Sequence, residues 1–67
     1  MIYDNVKQLC TEKGLSIHAL EIKAGLGNGA VGRWRKFNPG AIYLKKVADV
    51  LDVTVDDLLK ENTNARL

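Results

Sequence analysis

The sequence contains few of the residues that cross-link small domains. It has 67 residues with one cysteine, Cys10, one histidine, His18, and one proline, Pro39. A single cysteine cannot form an internal disulfide, and one cysteine with one histidine cannot supply the ligands of a structural zinc site. We therefore expect a domain held together by packing, with no cofactor and no metal. In such a domain Cys10 is expected to be a small buried core residue.

Long apolar runs and leader sequences are also missing. No stretch approaches the roughly 18 apolar residues that cross a membrane, and the first ten residues lack the basic-then-apolar order of a signal peptide. Together with the lone cysteine, these absences predict a cytoplasmic location. The sequence offers no nucleophile–base pair and no cluster of carboxylates around a large cleft, so we expect a protein that is not an enzyme.

Acidic residues are absent from the middle of the chain. Residues 22–48 contain six basic residues and no acidic residue, although the net charge of the chain is only +2. The ends carry the eight acidic residues and the other four basic residues. A concentrated basic patch attracts polyanions even on a nearly neutral protein, so the middle of the chain is predicted to bind a nucleic acid.

Apolar residues recur three or four positions apart along most of the chain, which predicts a single all-α domain, a compact five-helix bundle. The domain is expected to span residues 1–61, followed by a flexible polar tail at residues 62–67. The five helices are predicted at residues 3–13, 17–24, 28–36, 42–51 and 55–61.

The second and third predicted helices form a unit around Gly25. Leu20 and Ala24 share one helix face, and Val31 and Trp34 share another, so Trp34 is expected in the core. Gly25 stands where a helix often ends with a residue at positive φ. Two short helices joined in this way are typical of a helix-turn-helix, whose second helix lies in the DNA major groove.

Three glycines lie in the segment GLGNG at residues 25–29. A phosphate-binding P-loop is excluded, because neither a preceding strand nor a Gly-Lys-Ser/Thr ending is present. Ser16 is predicted to cap the second helix, and Asn28 either caps the third helix or reads an adenine. Gly29 and Gly32 cost helix stability. They are present either because a side chain there would block approach to DNA or because selection on helix propensity has been lost.

Four segments carry a resemblance to a known family: KGLSI at 13–17, LEIKAGLGNGAVGRW at 20–34, LKKVADVLDV at 44–53 and DDLL at 56–59. In this order and spacing the chain resembles the Cro/repressor-type (XRE-like) helix-turn-helix regulators of phages and bacteria. The resemblance spans residues 6–59. It implies a lambda-repressor-like DNA-binding domain that acts as a sequence-specific transcriptional regulator, with a phage or prophage-type repressor as the expected form.

The resemblance also implies which residues contact bases and which contact phosphate. Base edges are expected to be contacted by the first residues of the third helix and by those one helical turn further on: Asn28, Gly29, Gly32 and Arg33. Phosphate is expected to be contacted by the start of the second helix and the loop after the third: Ser16, Ile17, Lys36 and Asn38.

Charge and position add three further candidates for phosphate contact. His18 lies in the first turn of a helix, where anions are favoured, and Lys23 and Arg35 belong to the basic window. Each of these side chains, like Lys36, is either a phosphate contact or simply solvated. Arg33 either reads a guanine through its planar fork, pairs with Glu21, or touches phosphate only.

Two residues depart from the family pattern. Ile17 stands where the family commonly has Gln, and it cannot make the corresponding hydrogen bonds to DNA. Glu21 stands where a small residue, usually Ala, packs between the two helices. Because a buried unpaired charge is costly, Glu21 is expected either to turn outward to solvent or to pair with Arg33 or Arg35.

The partner expected from these observations is double-stranded DNA, in the form of a palindromic operator. The protein would bind it as a weak homodimer, or as one that forms only on DNA. An alternative is an antitoxin-like or other protein-interaction module on the same fold. Its discriminating feature would be an exposed apolar patch, for which the candidates are Ile17, Ile22, Phe37, Ile42 and Tyr43.

Overall fold

A computed structural model describes residues 1–60, and within this part of the chain there is no strand. Four α-helices and one 3₁₀ helix make up the fold: α1 (Ile2–Glu12), α2 (Ile17–Ala24), the 3₁₀ helix (Val31–Arg35), α3 (Ala41–Leu51) and α4 (Val55–Leu59). The all-α class is confirmed, but the described part contains four α-helices rather than five. None of these helices is long and apolar enough to cross a membrane.

One apolar core joins all five elements. Helix α1 packs on α4, on the 3₁₀ helix and on α2, while α3 packs on α2 and α4. The core is built from residues that recur at helical spacing, so each helix turns one apolar face inward. Its buried apolar members are Val6, Cys10, Leu20, Ala24, Val31, Trp34, Leu44, Val47, Ala48, Leu51 and Leu58. The predictions of Cys10 and Trp34 as core residues are confirmed.

Helix α2 has the predicted boundaries because both of its ends are capped as the sequence suggests. The Ser16 hydroxyl accepts a hydrogen bond from the Ala19 backbone N–H at 3.0 Å, which satisfies one of the free donors of the first turn. Gly25 ends the helix with φ of 71° in the left-handed region, where a side chain would be strained. Leu26 then packs half-buried against the core.

The predicted α-helix over residues 28–36 is wrong in type and in length. Residues 28–30 form a turn, and the helix that follows is a five-residue 3₁₀ helix at Val31–Arg35. Gly29 has φ of +80°, which is incompatible with a right-handed helix, so the helix cannot start before it. The N-cap of the 3₁₀ helix is Ala30 and not Asn28, so the predicted capping role of Asn28 is also wrong.

The remaining helices lie within one or two residues of their predicted positions. In α4 the Thr54 hydroxyl accepts from the Asp57 N–H, and the Asp57 carboxylate accepts from the Thr54 N–H, a reciprocal capping box. The Asn5 side chain of α1 donates to the Leu58 carbonyl at 2.8 Å and to the Lys60 carbonyl. Helix α4 ends at Leu59, two residues before its predicted end. Glu61 and the predicted tail at 62–67 lie outside the described residues.

Candidate DNA interface

A buried carboxylate organises the turn that leads into the 3₁₀ helix. Glu21, on the inner face of α2, is only 4% exposed. Its Oε1 accepts from the Gly29 backbone N–H at 3.1 Å, and its Oε2 accepts from the Val31 backbone N–H at 3.0 Å. Both carboxylate oxygens therefore receive a backbone donor, and hydrogen bonds to an ionised acceptor are the stronger kind.

This geometry corrects the expectation for Glu21. The side chain neither turns outward to solvent nor pairs with Arg33 or Arg35. Instead, it satisfies two backbone N–H groups at the start of the 3₁₀ helix that would otherwise lack a partner. A small residue at this position would pack between the two elements without capping either N–H. The chain therefore has a polar link where the family pattern has an apolar one.

The start of α2 and the turn before the 3₁₀ helix meet at the same carboxylate oxygen. His18 lies in the first turn of α2 with its side chain largely exposed, and its Nδ1 is 3.9 Å from Glu21 Oε1. The same oxygen accepts from Gly29. Ser16 lies two residues before His18 and uses its hydroxyl as the cap. The structure thus brings two predicted phosphate contacts, Ser16 and His18, close to Gly29, a predicted base contact.

Arg33 lies on the rim of an open groove of about 340 Å³. The groove is bounded by the turn at Gly27 and Ala30, the 3₁₀ helix, and the loop with Asn38 that leads to α3. Arg33 is exposed, and within residues 1–60 its guanidinium has no ion pair with a carboxylate. The alternative in which Arg33 pairs with Glu21 is therefore excluded, and its planar fork faces solvent.

Arg35 is oriented differently from Arg33. Its guanidinium carbon lies 4.6 Å from the centre of the Tyr3 ring, and its Nη2 donates to the Tyr3 hydroxyl at 2.9 Å. The hydrogen bond and the charge interaction with Tyr3 raise the pKa of Arg35. Arg35 thus links the end of the 3₁₀ helix to α1, and its guanidinium is already engaged by the Tyr3 side chain.

The other predicted contact residues are distributed along this surface. Lys23 lies at the end of α2 opposite to Ser16, roughly 10 Å away along an eight-residue helix. Asn28, Gly32 and Lys36 are exposed. A Cβ built on Gly32 meets no atom within 4 Å, so packing inside the domain does not require a glycine there. Ile17 is half-buried and packs against the core.

Several large apolar side chains are exposed, and two of them line the groove. Phe37 and Tyr43 line it, and they are 69% and 50% exposed. Ile42, next to Tyr43 on α3, and Ile22 on α2 are also exposed. Four of the five residues named for an apolar patch are therefore at the surface, whereas Ile17 packs against the core.

The described residues offer neither a reactive thiol nor a metal-binding cluster. Cys10 is buried in the core, and burial raises the pKa of its thiol, so the reactive thiolate is disfavoured. Residues 1–60 contain no group of three or more His, Cys, Asp or Glu side chains that could hold a metal ion.

Comparison with known proteins finds relatives that match nearly all of this chain. Two of them are the HTH-type transcriptional regulators SinR of Bacillus licheniformis and Bacillus subtilis (strain 168). Each is 41% identical over 64 residues, which cover 91% of this chain and 58% of the relative. The chain thus spans a little over half the length of these curated relatives. No family model matches the chain, and no solved structure matches it significantly.

Both relatives are helix-turn-helix regulators by name. Over the matched 64 residues, the resemblance of this chain to the Cro/repressor-type (XRE-like) helix-turn-helix regulators is therefore confirmed. In this helix-turn-helix domain α2 is the first helix, residues 25–30 form the turn and the 3₁₀ helix stands at the place of the second. In this chain the second helix of the helix-turn-helix is therefore a short 3₁₀ helix.

Sequence reasoning missed the role of Glu21 and the bonds of Asn5. A signal for Glu21 was present, because a carboxylate on the inner face of α2 stands close to a glycine-rich turn whose N–H groups need acceptors. Asn5 gave no comparable signal, since its two acceptors lie 53 and 55 residues away in the chain.

Proposed function

We propose that this helix-turn-helix domain is a sequence-specific DNA-binding transcriptional regulator, in the form of a phage or prophage-type repressor. The observation that carries the proposal is the position of Arg33 on the 3₁₀ helix, which stands at the place of the recognition helix. Arg33 is exposed, and within residues 1–60 it has no carboxylate partner. The names of the relatives, which are HTH-type transcriptional regulators, support the same role. The role is one of binding rather than catalysis.

The proposed mechanism separates positioning from reading. Phosphate contacts fix the orientation of a protein on the duplex, and base contacts supply sequence preference. Here Ser16, His18, Lys36 and Asn38 lie at the start of α2 and around the end of the 3₁₀ helix, where they would hold phosphates. Arg33 would donate both arms of its fork to O6 and N7 of a guanine, a pairing worth roughly 1–3 kcal/mol of discrimination. Asn28 is the second candidate for base contact.

A single domain of this size reads only a few base pairs. We propose that two copies bind a palindromic operator, with half-sites about 34–36 Å apart, which is one turn of the duplex. The dimer would be weak in solution or would form only on DNA. A regulator of this kind acts where the chromosome is, which in a bacterial host is the cytoplasm.

Selection of bound sites from a random duplex pool, at near-physiological salt, tests the proposal. We expect enrichment of a two-fold symmetric motif with half-sites one turn apart. If only weak, salt-sensitive binding without a motif is found, the proposal of a sequence-specific regulator is wrong.

One observation favours a second function on the same fold. Phe37 and Tyr43 are exposed and line the groove, and Ile42 is exposed next to Tyr43 in the chain. Exposed apolar patches often mark protein contacts. In this reading the domain is an antitoxin-like or other interaction module. The substitutions Phe37→Ser and Ile42→Ser distinguish the two functions. A DNA-binding role predicts that the duplex selection enriches the same motif, whereas an interaction module predicts loss of the complex with its partner protein.

A further inference from the structure

We propose that Glu21 is the positioning residue of the DNA-reading segment, so that its carboxylate sets operator preference rather than the stability of the fold. This inference rests on the proposed DNA-binding function and deepens it. In this proposal Glu21, a buried side chain that contacts no base, holds Arg33 at the correct place relative to α2.

The first argument comes from how the two elements are packed. The 3₁₀ helix packs mainly on α1, whereas α2 packs mainly on α3. A helix-turn-helix has to present the start of its first helix and its reading segment to the same stretch of duplex. In this chain the two Glu21 hydrogen bonds connect these parts directly, from α2 to the backbone of Gly29 and Val31.

The second argument comes from the turn itself. A Cβ built on Gly27 or on Gly29 would meet no atom within 4 Å, so the turn makes no close packing contact at these two positions, between Leu26 and the buried Val31. Asn28 and Gly29 are exposed. A backbone hydrogen bond from the Ala30 N–H to the Gly27 carbonyl closes the turn, and the Glu21 carboxylate adds the side-chain hydrogen bonds that connect the turn to α2. The position of Arg33 follows from these bonds because Arg33 is two residues beyond Val31.

The third argument concerns the chemistry of the contact. Two backbone donors face two carboxylate oxygens, which is a match that glutamine cannot reproduce, since its amide has one acceptor oxygen and one NH₂ group. Glu21→Gln keeps the size of the side chain and places a donor against a donor. The apolar core around it, including the fully buried Leu20 and Val31, is unchanged.

Glu21→Gln is therefore the decisive variant, and Glu12→Gln is its matched control. Glu12 is exposed at the end of α1, and its substitution removes the same charge without touching the turn. Dissociation constants are measured for the selected operator duplex and for a scrambled duplex of the same length. Thermal unfolding and the amide resonances of Gly29 and Val31 are followed in the same samples.

For Glu21→Gln we expect a folded chain in which the Gly29 and Val31 amide resonances move and operator affinity falls by about tenfold, a loss on the scale of one charge-assisted hydrogen bond. Affinity for the scrambled duplex should not fall, because non-specific binding depends on phosphate charge. Glu12→Gln should keep the wild-type ratio of the two affinities.

An unchanged ratio in folded Glu21→Gln overturns the inference. If that variant does not fold, Glu21→Asp carries the test, because it keeps the charge and both oxygens but is too short to reach both N–H groups. Wild-type operator affinity in folded Glu21→Asp also overturns the inference. If the wild-type chain binds the operator no better than the scrambled duplex, the proposed function is wrong instead. The amide resonances of Gly29 and Val31 in Glu21→Gln then still show whether Glu21 holds the turn.

Discussion

At the scale of single residues, the structure separates two arginines that the sequence places in one basic window as candidates for DNA contact. Arg33 and Arg35 lie two positions apart in the same basic window, yet Arg35 is fastened to Tyr3 whereas Arg33 faces solvent beside the groove. Residues two apart on a helix point to different sides. The 3₁₀ helix therefore gives one arginine a structural task and leaves the other available for DNA.

Replacing Arg33 should change which sequences are bound. For Arg33→Ala we expect preference at one base pair of each half-site to relax by roughly 1–3 kcal/mol, because the bidentate contact to guanine is lost. Lys36→Ala serves as the comparison, since loss of a phosphate contact weakens all sequences alike and lowers the salt dependence of binding by about one ion. Repeating the duplex selection with both variants checks this. Uniform weakening by Arg33→Ala would assign Arg33 to phosphate.

Two glycines of the same segment should respond in opposite directions to alanine. Gly29 has φ of +80°, so Gly29→Ala places a Cβ in the left-handed region and should destabilise the fold by about 1–2 kcal/mol. Gly32 is outside that region and has open space around it. Gly32→Ala should stabilise the fold by up to about 1 kcal/mol, since alanine favours helices. Chemical denaturation measures both changes.

The same Gly32→Ala variant separates the two explanations for its glycine. If DNA approaches closely at this position, the more stable variant should bind the operator less tightly than the wild type. Equal binding would leave lost selection on helix propensity as the explanation. Since Gly29 already needs its glycine for backbone reasons, the DNA-approach explanation is not required at that position.

At the scale of elements, short helices in this chain depend on side chains that cap their ends. The first N–H of the 3₁₀ helix, that of Val31, donates to Glu21, and the five-residue α4 has its capping box between Thr54 and Asp57. Helices this short are not stable on propensity alone. The capping contacts and the burial of one apolar face, such as that of Leu58, therefore fix where these elements begin.

The capping box of α4 should make stability fall in acid. Hydrogen bonds from Thr54, with a further contribution from Lys60, lower the pKa of Asp57. A carboxyl with a lowered pKa in the folded state contributes stability above its ordinary value, near 4, and loses it as the pH falls through the folded value. The free energy of unfolding of the wild type should therefore decrease below about pH 4 more steeply than that of Asp57→Asn.

Asp56→Asn provides the control for the acid experiment. Asp56 lies in the same first turn, and within residues 1–60 no hydrogen bond of its side chain occurs. Its substitution should leave the steep acid dependence in place. Denaturation at a series of pH values from 7 to 2.5 measures the three proteins. Parallel curves for the wild type and Asp57→Asn would show that the capping box does not contribute to acid stability.

At the scale of the whole molecule, the described residues form a small core closed by contacts between distant parts of the chain. Asn5 donates to the Leu58 and Lys60 carbonyls, which links the first helix to the end of the last one. A core of this size contributes only about 3–5 kcal/mol of net stability. Binding of a partner to the folded state should therefore stabilise it strongly.

The association state should depend on DNA. If the dimer forms on the operator, sedimentation should find a monomer at micromolar concentration, and two copies on a duplex with two half-sites one turn apart. A duplex in which the half-sites are moved by five base pairs, half a turn, should carry one copy at the same concentration, because the two domains then face opposite sides of the helix. Binding of two copies to both duplexes would contradict cooperative pairing.

Periodicity of apolar residues predicted the all-α class, the core positions of Cys10 and Trp34, and helix α2, and the residue types Ser16 and Gly25 predicted the two caps of α2. These features depend on neighbours three or four residues apart, and such contacts can be read directly from a linear sequence. The order of the helices also carried the family resemblance that the relatives confirm. The DNA-contact residues stay predictions.

The tertiary structure alone decided the rest. Gly29 at positive φ prevents the third helix from starting before it, Arg35 lies on Tyr3, and Glu21 is buried against backbone N–H groups. For Arg35 and Glu21 the deciding partner lies outside their own element, as much as 32 residues away in the chain. A sequence pattern reports which side chains share a face, but it does not report which backbone donors or rings that face will meet.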